Sequence, residues 1–184
     1  MKRTALVVGL VVLVFAVSVW AQTTAPKPDP EIKKFEAYVG HWTYTVEYKA
    51  GPLGPASKAT GALTIKKVLK GFFFQNQVTE KGPMGETQII EMINYDPVKK
   101  LFISNEYHDD GLVFSGTYDF KGNVCTYMGT TTIEGKPYFA KNVLTLSENM
   151  ITLTASGELS TDGSTWVPWL EAKYTRTTPA PITK

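Results

Sequence analysis

The stretch FEAYVGHW at residues 35–42 decides the fold of this chain. Just before it, residues 29–31 (Asp-Pro-Glu) form a typical helix start, with an N-cap, a proline at the first helical position and an acidic first turn. One helical face then carries four apolar residues: Ile32, Phe35, Tyr38 and Val39. Gly40 predicts the left-handed turn that ends the helix. From Trp42 onward apolar and polar residues alternate, so the stretch joins a short helix to the first strand of an all-β run.

Nine further alternating segments follow the strand predicted at 42–48, and Val, Ile, Thr, Tyr and Phe dominate them. They span residues 59–69, 72–80, 86–95, 101–108, 112–118, 123–132, 138–146, 150–160 and 166–176. Short turns separate them, and no second helical segment interrupts the series. The pattern predicts an all-β fold: a single antiparallel up-and-down barrel of about ten strands, preceded by one short N-terminal helix.

The ends of the chain predict export. Residues 1–21 have a positive start, an apolar run at 5–20 and a small residue, Ala21, at the cleavage point, as in a signal peptide. The apolar run is shorter than the roughly 20 residues of a spanning helix, so cleavage is favoured over an uncleaved anchor. We expect a flexible leader at 22–28, the barrel domain at 29–176, a disordered tail at 177–184, and a periplasmic or secreted protein.

Charge and cysteine content narrow the function classes. Lys2 and Arg3 lie in the signal segment, so 17 of the 19 basic side chains remain against 17 acidic ones. This balance predicts no nucleic-acid partner and, after signal cleavage, no membrane partner. Cys125 is the only cysteine, so the chain cannot form an internal disulfide. We predict that Cys125 is a small buried apolar residue and that a packed core provides the stability.

The connections predict two different barrel ends, because alternate connections of a meander lie at opposite ends. One end has the Gly/Pro-rich segments 51–55 and 82–85 and is the expected mouth. The other end has tight turns and the start of the first strand. Barrel closure would bring Arg176, at the end of the last strand, beside Trp42. A guanidinium on an indole face contributes about 0.5–2 kcal/mol, so these two residues are predicted to form the barrel floor.

The short helix, Gly40-His41-Trp42 at the start of the first strand and Arg176 at the end of the last strand resemble the lipocalin/calycin signature, which implies a lipocalin-like barrel. Within that group, five motifs resemble an uncharacterised bacterial family of lipocalin-like domains of unknown function. They are Tyr38-Val39-Gly40-His41-Trp42, Val68-Leu69-Lys70-Gly71-Phe72-Phe73, Asn94-Tyr95-Asp96-Pro97, Ser115-Gly116-Thr117-Tyr118-Asp119 and Tyr174-Thr175-Arg176. The resemblance covers about residues 35–176. It implies a barrel around a ligand cavity, and it brings no known substrate.

Strands 3 to 5 carry bulky groups on both faces, so at least one polar group is expected to point inward among apolar ones. That composition is typical of a ligand pocket. We predict that the interior binds a small apolar or amphipathic molecule. The candidate cavity and mouth residues are Tyr44, Phe74, Asn76, Glu91, Phe102, Glu106, His108, Phe114 and Tyr127.

Two alternatives involve chemistry. Glu91 or Glu106 in an apolar cavity would have a raised pKa and suit the acid/base chemistry of an isomerase-like enzyme, although the chain has no catalytic motif. A barrel similar to the nitrobindin group would bind haem through a histidine of a late strand. No histidine follows His108, so haem is disfavoured and no cofactor is predicted.

No metal site is predicted, because His108, Asp109 and Asp110 are adjacent on a tight turn and cannot easily converge on one ion.

Two further alternatives involve no small ligand. A barrel packed solid with aromatic side chains would be a structural or interaction module. A homo-oligomer is left open, because strands 3 to 5 could pack outward against a second copy.

Overall fold

The computed structural model describes residues 26–177 as ten antiparallel strands closed into a barrel. The strands are β1 Gly40–Tyr48, β2 Ser57–Val68, β3 Phe73–Gly82, β4 Gly85–Asp96, β5 Leu101–His108, β6 Val113–Lys121, β7 Val124–Ile133, β8 Lys136–Leu146, β9 Thr152–Ser160 and β10 Val167–Arg176. Each strand pairs with its neighbours in the chain, and β1 pairs with β10 to close the barrel. The predicted fold class is confirmed, and every strand end lies within three residues of its predicted position.

The predicted signal peptide at 1–21 lies outside the described residues, as do residues 22–25 of the leader and 178–184 of the tail. Over the described range of 26–177, no helix has the length and apolar character needed to cross a membrane.

The N-terminal helix begins as predicted and ends earlier. A 3-10 turn, Pro30–Ile32, continues into α1, Lys33–Glu36, and the Asp29 side chain accepts a hydrogen bond of 2.9 Å from the Glu31 backbone N–H. Gly40 does not end the helix. Backbone turns carry the chain from the helix through residues 37–39, and Gly40, with a φ of 139°, is the first residue of β1.

The helix inserts Phe35 into one end of the barrel. The ring is 4% exposed and lies among four aromatic rings, with centroid distances between 4.9 and 5.9 Å: Phe74, Phe102, Tyr118 and Phe120. So short a helix could not persist alone in water, so this aromatic contact is what holds it. We call this end the floor.

Trp42 and Arg176 also lie at the floor, directly opposite each other on β1 and β10. The guanidinium carbon of Arg176 is 4.1 Å from the centroid of the Trp42 ring. The guanidinium donates to three backbone carbonyls, those of Ala37, Val39 and Met150. One cation therefore joins the segment after the helix, the turn before β9 and the end of β10.

The facing of β3, β4 and β5, which the sequence left undecided, follows from burial. Phe74, Ile93 and Ser104 are 0% exposed and mark the inward set on each strand. The same set places Asn76, Glu91 and Glu106 side by side across three strands. An apolar core at the floor thus fixes the strand register, and the register brings polar residues into the barrel above it.

Candidate functional site

A cavity of about 160 Å³ lies inside the barrel above the floor core. Its walls are mostly apolar and aromatic, with a few polar groups. The lining residues are Phe35, Tyr38, Leu63, Ile65, Asn76, Val78, Glu91, Glu106, Tyr118, Cys125, Tyr127, Asn142, Leu144, Leu153, Ala155, Leu170 and Tyr174.

Glu91 is the most constrained polar group of the cavity. Its carboxyl is 5% exposed and accepts three side-chain hydrogen bonds. Asn76 Nδ2 donates over 2.6 Å, Tyr118 OH donates over 2.8 Å, and Ser104 Oγ donates to the same oxygen as Tyr118. These donors come from β3, β5 and β6. The period-two alternation that sends Glu91 inward sends each of its partners inward as well.

Two opposing effects set the proton affinity of Glu91. Burial, and after it the charge of Glu106, raise its pKa to about 7, because both disfavour an ionised carboxyl. The three donated hydrogen bonds act in the other direction and lower the pKa. Glu91 and Glu106 lie directly opposite each other on β4 and β5. Two inward carboxyls at one level of a barrel repel each other when both are ionised.

Glu106 has a second partner on its own strand. His108 Nε2 lies 2.6 Å from Glu106 Oε1, and both side chains are largely buried. Burial by itself lowers the pKa of His108, but the hydrogen bond and charge of Glu106 outweigh it and the net pKa is raised. Because β5 runs from floor to mouth, His108 lies nearer the mouth than Glu106 and Glu91.

The mouth carries a second cluster around Glu80 of β3. Tyr44 OH and Tyr48 OH both donate to its carboxylate, over 2.8 and 2.9 Å. On β10, a register shift between Pro168 and Leu170 turns Trp169 towards the interior, where Nε1 donates to Asn142 Oδ1 over 3.2 Å. β-Bulges of this kind often re-aim a side chain beside a binding site.

Glycines let the Tyr127 ring lie flat against the barrel wall. Gly116 and Gly129 are opposite each other on β6 and β7. A Cβ built on either would lie within 2.6 Å of the Tyr127 ring. Because neither glycine has a side chain, the Tyr127 ring can occupy the space beside these positions of β6 and β7.

We expect Gly129→Ala to lower the free energy of unfolding by about 1–3 kcal/mol, because the new methyl group would lie 2.2 Å from Tyr127 OH and force the ring into the cavity. Urea unfolding followed by circular dichroism measures the change. In a Tyr127→Leu background the same substitution should cost less than half as much. An equal cost in both backgrounds would contradict the proposed contact.

The structure separates the residues predicted for the cavity into groups. Four of the nine line it: Asn76, Glu91, Glu106 and Tyr127. Tyr44 and His108 lie towards the mouth, bonded to Glu80 and Glu106. Phe114 packs in a separate small cluster that includes Tyr127. Phe74 and Phe102 do not line the cavity, because both pack in the floor core against Phe35.

Sequence reasoning missed several polar and aromatic residues of the site. They are Ser104, Tyr118, Asn142, Tyr174 and, at the mouth, Glu80 and Trp169. Every second residue of a strand points inward, and applying this rule along each strand would have identified all of these residues except Trp169. Trp169 could not be identified in this way, because the register shift beside it breaks the alternation.

Cys125 is 2% exposed, which confirms the prediction of a buried residue, and burial raises the pKa of its thiol. Among residues 26–177, no group of three or more His, Cys, Asp or Glu side chains is placed to hold a metal ion.

Comparison with solved structures supports the barrel fold. The crystal structure of Rv2717c from M. tuberculosis matches with a TM-score of 0.59 and 13% identity, covering 83% of this chain and 100% of that one. The S-type phycobiliprotein lyase CPES from Guillardia theta matches with a TM-score of 0.50 and 11% identity, covering 79% of this chain and 92% of the lyase. At these identities the likeness shows the fold alone.

Sequence comparison gives the family. No curated protein matches the chain. A family model described as "Protein of unknown function (DUF1579)" matches residues 27–176, which is nearly the whole described range. The expectation of an uncharacterised family is thereby confirmed, while the lipocalin relationship stays a prediction. This chain belongs to the DUF1579 family.

Proposed function

We propose that this protein is an exported barrel that binds a small amphipathic molecule in its central cavity, in the periplasm or outside the cell. The observation that carries the proposal is the cavity itself, a space of about 160 Å³ with apolar walls and one buried carboxyl held by three donors. Apolar walls with a few placed polar groups are what small-molecule sites have in common. The signal-like sequence of residues 1–21 supports export.

The volume limits the ligand. An apolar cavity of about 150 Å³ in another protein holds one benzene molecule, whereas pockets for drug-sized ligands span roughly 300–1,000 Å³. The enclosed part of the ligand is therefore no larger than a short alkyl chain or a single ring. The small volume and the contact of His108 Nε2 with Glu106 favour a smaller ligand over haem.

Filling the cavity tests the proposal. Ala155 lines the cavity on β9 and is 9% exposed. We expect Ala155→Leu to remove most of the free volume and weaken ligand binding at least tenfold while leaving the barrel folded. Ala62→Leu places the same group on the exposed outer face of β2 and should leave binding unchanged.

The measurement is native mass spectrometry of protein purified from the periplasm, with extraction of what co-purifies, followed by NMR titration with that compound. Loss of the bound mass in Ala155→Leu and its retention in Ala62→Leu would support an interior ligand. Equal retention in both variants would place the ligand outside the barrel and contradict the proposal.

An acid/base enzyme is the second candidate, and the pKa of Glu91 favours it. A carboxyl that titrates near neutral pH beside a tyrosine hydroxyl suits proton transfer to and from a bound molecule. An activity found with the co-purifying compound should fall at least a hundredfold in Glu91→Gln. Unchanged turnover in that variant would remove Glu91 from the chemistry.

A further inference from the structure

The polar lining of the cavity is rich in acceptors. Two carboxyls, Glu91 and Glu106, lie opposite each other on β4 and β5, and two amide side chains, Asn76 and Asn142, complete the set apart from the tyrosines. Neither lysine nor arginine is among the lining residues of the described barrel. The cavity walls therefore carry two carboxyls and no lysine or arginine, and the basic group that meets them is His108, whose Nε2 lies 2.6 Å from Glu106 Oε1.

One acceptor is left without a donor. Asn76 is 6% exposed, and its Nδ2 donates to Glu91, which leaves Oδ1 as a buried oxygen with no partner among the described residues. Tyr127 OH, on the same cavity wall, has no partner there either. A buried polar atom without a partner costs about 1–3 kcal/mol, so Asn76 Oδ1 favours a ligand that brings a hydrogen-bond donor, while Tyr127 OH can either donate to a ligand or accept from it.

The aromatic walls also favour a cation. Tyr118 and Tyr127 lie side by side with ring centroids 4.9 Å apart, and Tyr174 lines the opposite part of the cavity. The faces of such rings carry partial negative charge and attract ammonium groups. An anion would face two carboxyls, so a fatty acid with its carboxylate inside the barrel is the wrong ligand for this cavity.

We propose that the cavity binds a small primary amine, with its ammonium between Glu91, Glu106 and Asn76 Oδ1 and its short apolar group against the aromatic walls. This inference rests on the proposed function and names the ligand class of the same site. An ammonium has three N–H donors and no acceptor, which suits the row of acceptors that Asn76, Glu91 and Glu106 form on three adjacent strands. It also relieves the repulsion between the paired carboxyls. The orientation of the Asn76 amide suits an ionised Glu91, because Nδ2 already donates to it.

Binding should depend on pH, because an ammonium and a proton compete for Glu91. The titratable groups that surround Glu91 inside the barrel are Tyr38 after the helix, Glu106 and His108 of β5, Tyr118 of β6, Cys125 and Tyr127 of β7 and Tyr174 of β10, with Glu80, Tyr44 and Tyr48 nearer the mouth. Burial raises the pKa of each of these tyrosines and of the cysteine, so they stay neutral through the tested range. Glu91 and His108 both take up a proton as the pH falls, and both changes reduce the negative charge that an ammonium meets, so amine binding should be weaker in acid.

The test uses three probes of matched size, n-butylamine, n-butanol and butyrate, titrated by NMR into the full barrel domain. At about pH 8 we expect the amine to bind most tightly, the alcohol more weakly and butyrate not measurably, and at about pH 5.5 the amine should bind about thirtyfold more weakly, as the ionised fraction of Glu91 falls. Butanol binding as tightly as butylamine, with no pH dependence, would overturn the amine inference and leave the proposed function standing. Failure of all three probes to shift any cavity resonance would overturn both.

Variants give a second measurement. Glu91→Gln and Glu106→Gln should each weaken butylamine at least fivefold and leave butanol within about twofold. Glu86→Gln, on the exposed outer face of β4, is the matched control and should bind as the wild type does. Equal loss of amine and alcohol affinity in Glu106→Gln would mean that the cavity had been disturbed as a whole, and would contradict a specific ammonium contact.

Discussion

Replacing Arg176 with alanine is expected to lower the free energy of unfolding by about 3–4 kcal/mol. Arg176 is 8% exposed, and its guanidinium covers the Trp42 ring and donates to three backbone carbonyls at the floor. Its removal leaves the carbonyls of Ala37, Val39 and Met150 without these donors, at about 1–3 kcal/mol for each that stays dry. Loss of the cation–π contact adds about 0.5–2 kcal/mol, and entry of water at the opened floor offsets part of the sum.

Urea unfolding monitored by tryptophan fluorescence measures this effect, and the emission of native Trp42 should shift to longer wavelength as the ring becomes wet. Arg176→Lys keeps the charge but has no planar fork with which to reach three carbonyls, so we expect about half the loss. Lys173→Ala removes an exposed cation from the same strand and should change stability by less than about 0.5 kcal/mol. A loss for Arg176→Ala as small as that of Lys173→Ala would show that the floor does not depend on this residue.

The strands were predictable because the physical rule behind them is local. A strand of a closed barrel has one wet face and one dry face, so apolar residues recur at every second position and turns interrupt them. The pairing of Trp42 with Arg176 followed from the same rule, since closure of a meander leaves only the first and last strands to meet. The predicted end of the helix was wrong. The prediction assigned Gly40 to the helix cap, but Gly40, with its φ of 139°, is the first residue of β1.

The site was harder to predict because it breaks the rule that identifies the strands. Glu91 and Asn76 occupy inward positions that a packed barrel would fill with apolar side chains. In β3 to β5 some inward residues are polar and some outward residues, such as the exposed Ile90, are apolar. The alternation of apolar and polar residues along these strands therefore no longer shows which face points inward. Only the register of neighbouring strands shows that Asn76, Glu91 and Glu106 share one row. Positions that cost stability in this way are where function is expected.

Glu91 should make the protein less stable as pH rises, which is opposite to the usual behaviour of a paired carboxyl. The pKa of its carboxyl is about 7 in the folded protein, against an ordinary value of 4.5. Between these values the folded state holds a proton that the unfolded state has lost, so the free energy of unfolding falls with increasing pH. The loss begins near pH 4.5, is complete just above pH 7 and amounts to roughly 3 kcal/mol.

Glu91→Gln should remove this dependence, because a neutral amide keeps two acceptor contacts and Asn76 Oδ1 can accept from the new Nε2 after its amide turns. We therefore expect the variant to be more stable than the wild type at about pH 8 and similar to it or less stable at about pH 5. The pKa of His108 is also raised, and its contribution has the same sign, but it begins only near the ordinary value of 6.5. Measurements below that pH therefore isolate Glu91.

Chemical denaturation at several pH values, with Glu86→Gln as the exposed control, shows whether Glu91 is neutral or ionised inside the folded barrel. Parallel stability curves for the wild type and Glu91→Gln between pH 4.5 and 7 would mean that Glu91 stays ionised inside the barrel. An ionised carboxyl of that kind would be held by the hydrogen bonds from Asn76, Ser104 and Tyr118, with burial and Glu106 outweighed. Curves that separate as the pH rises would instead identify Glu91 as a carboxyl that is neutral below about pH 7 and releases its proton to solvent when an ammonium binds beside it.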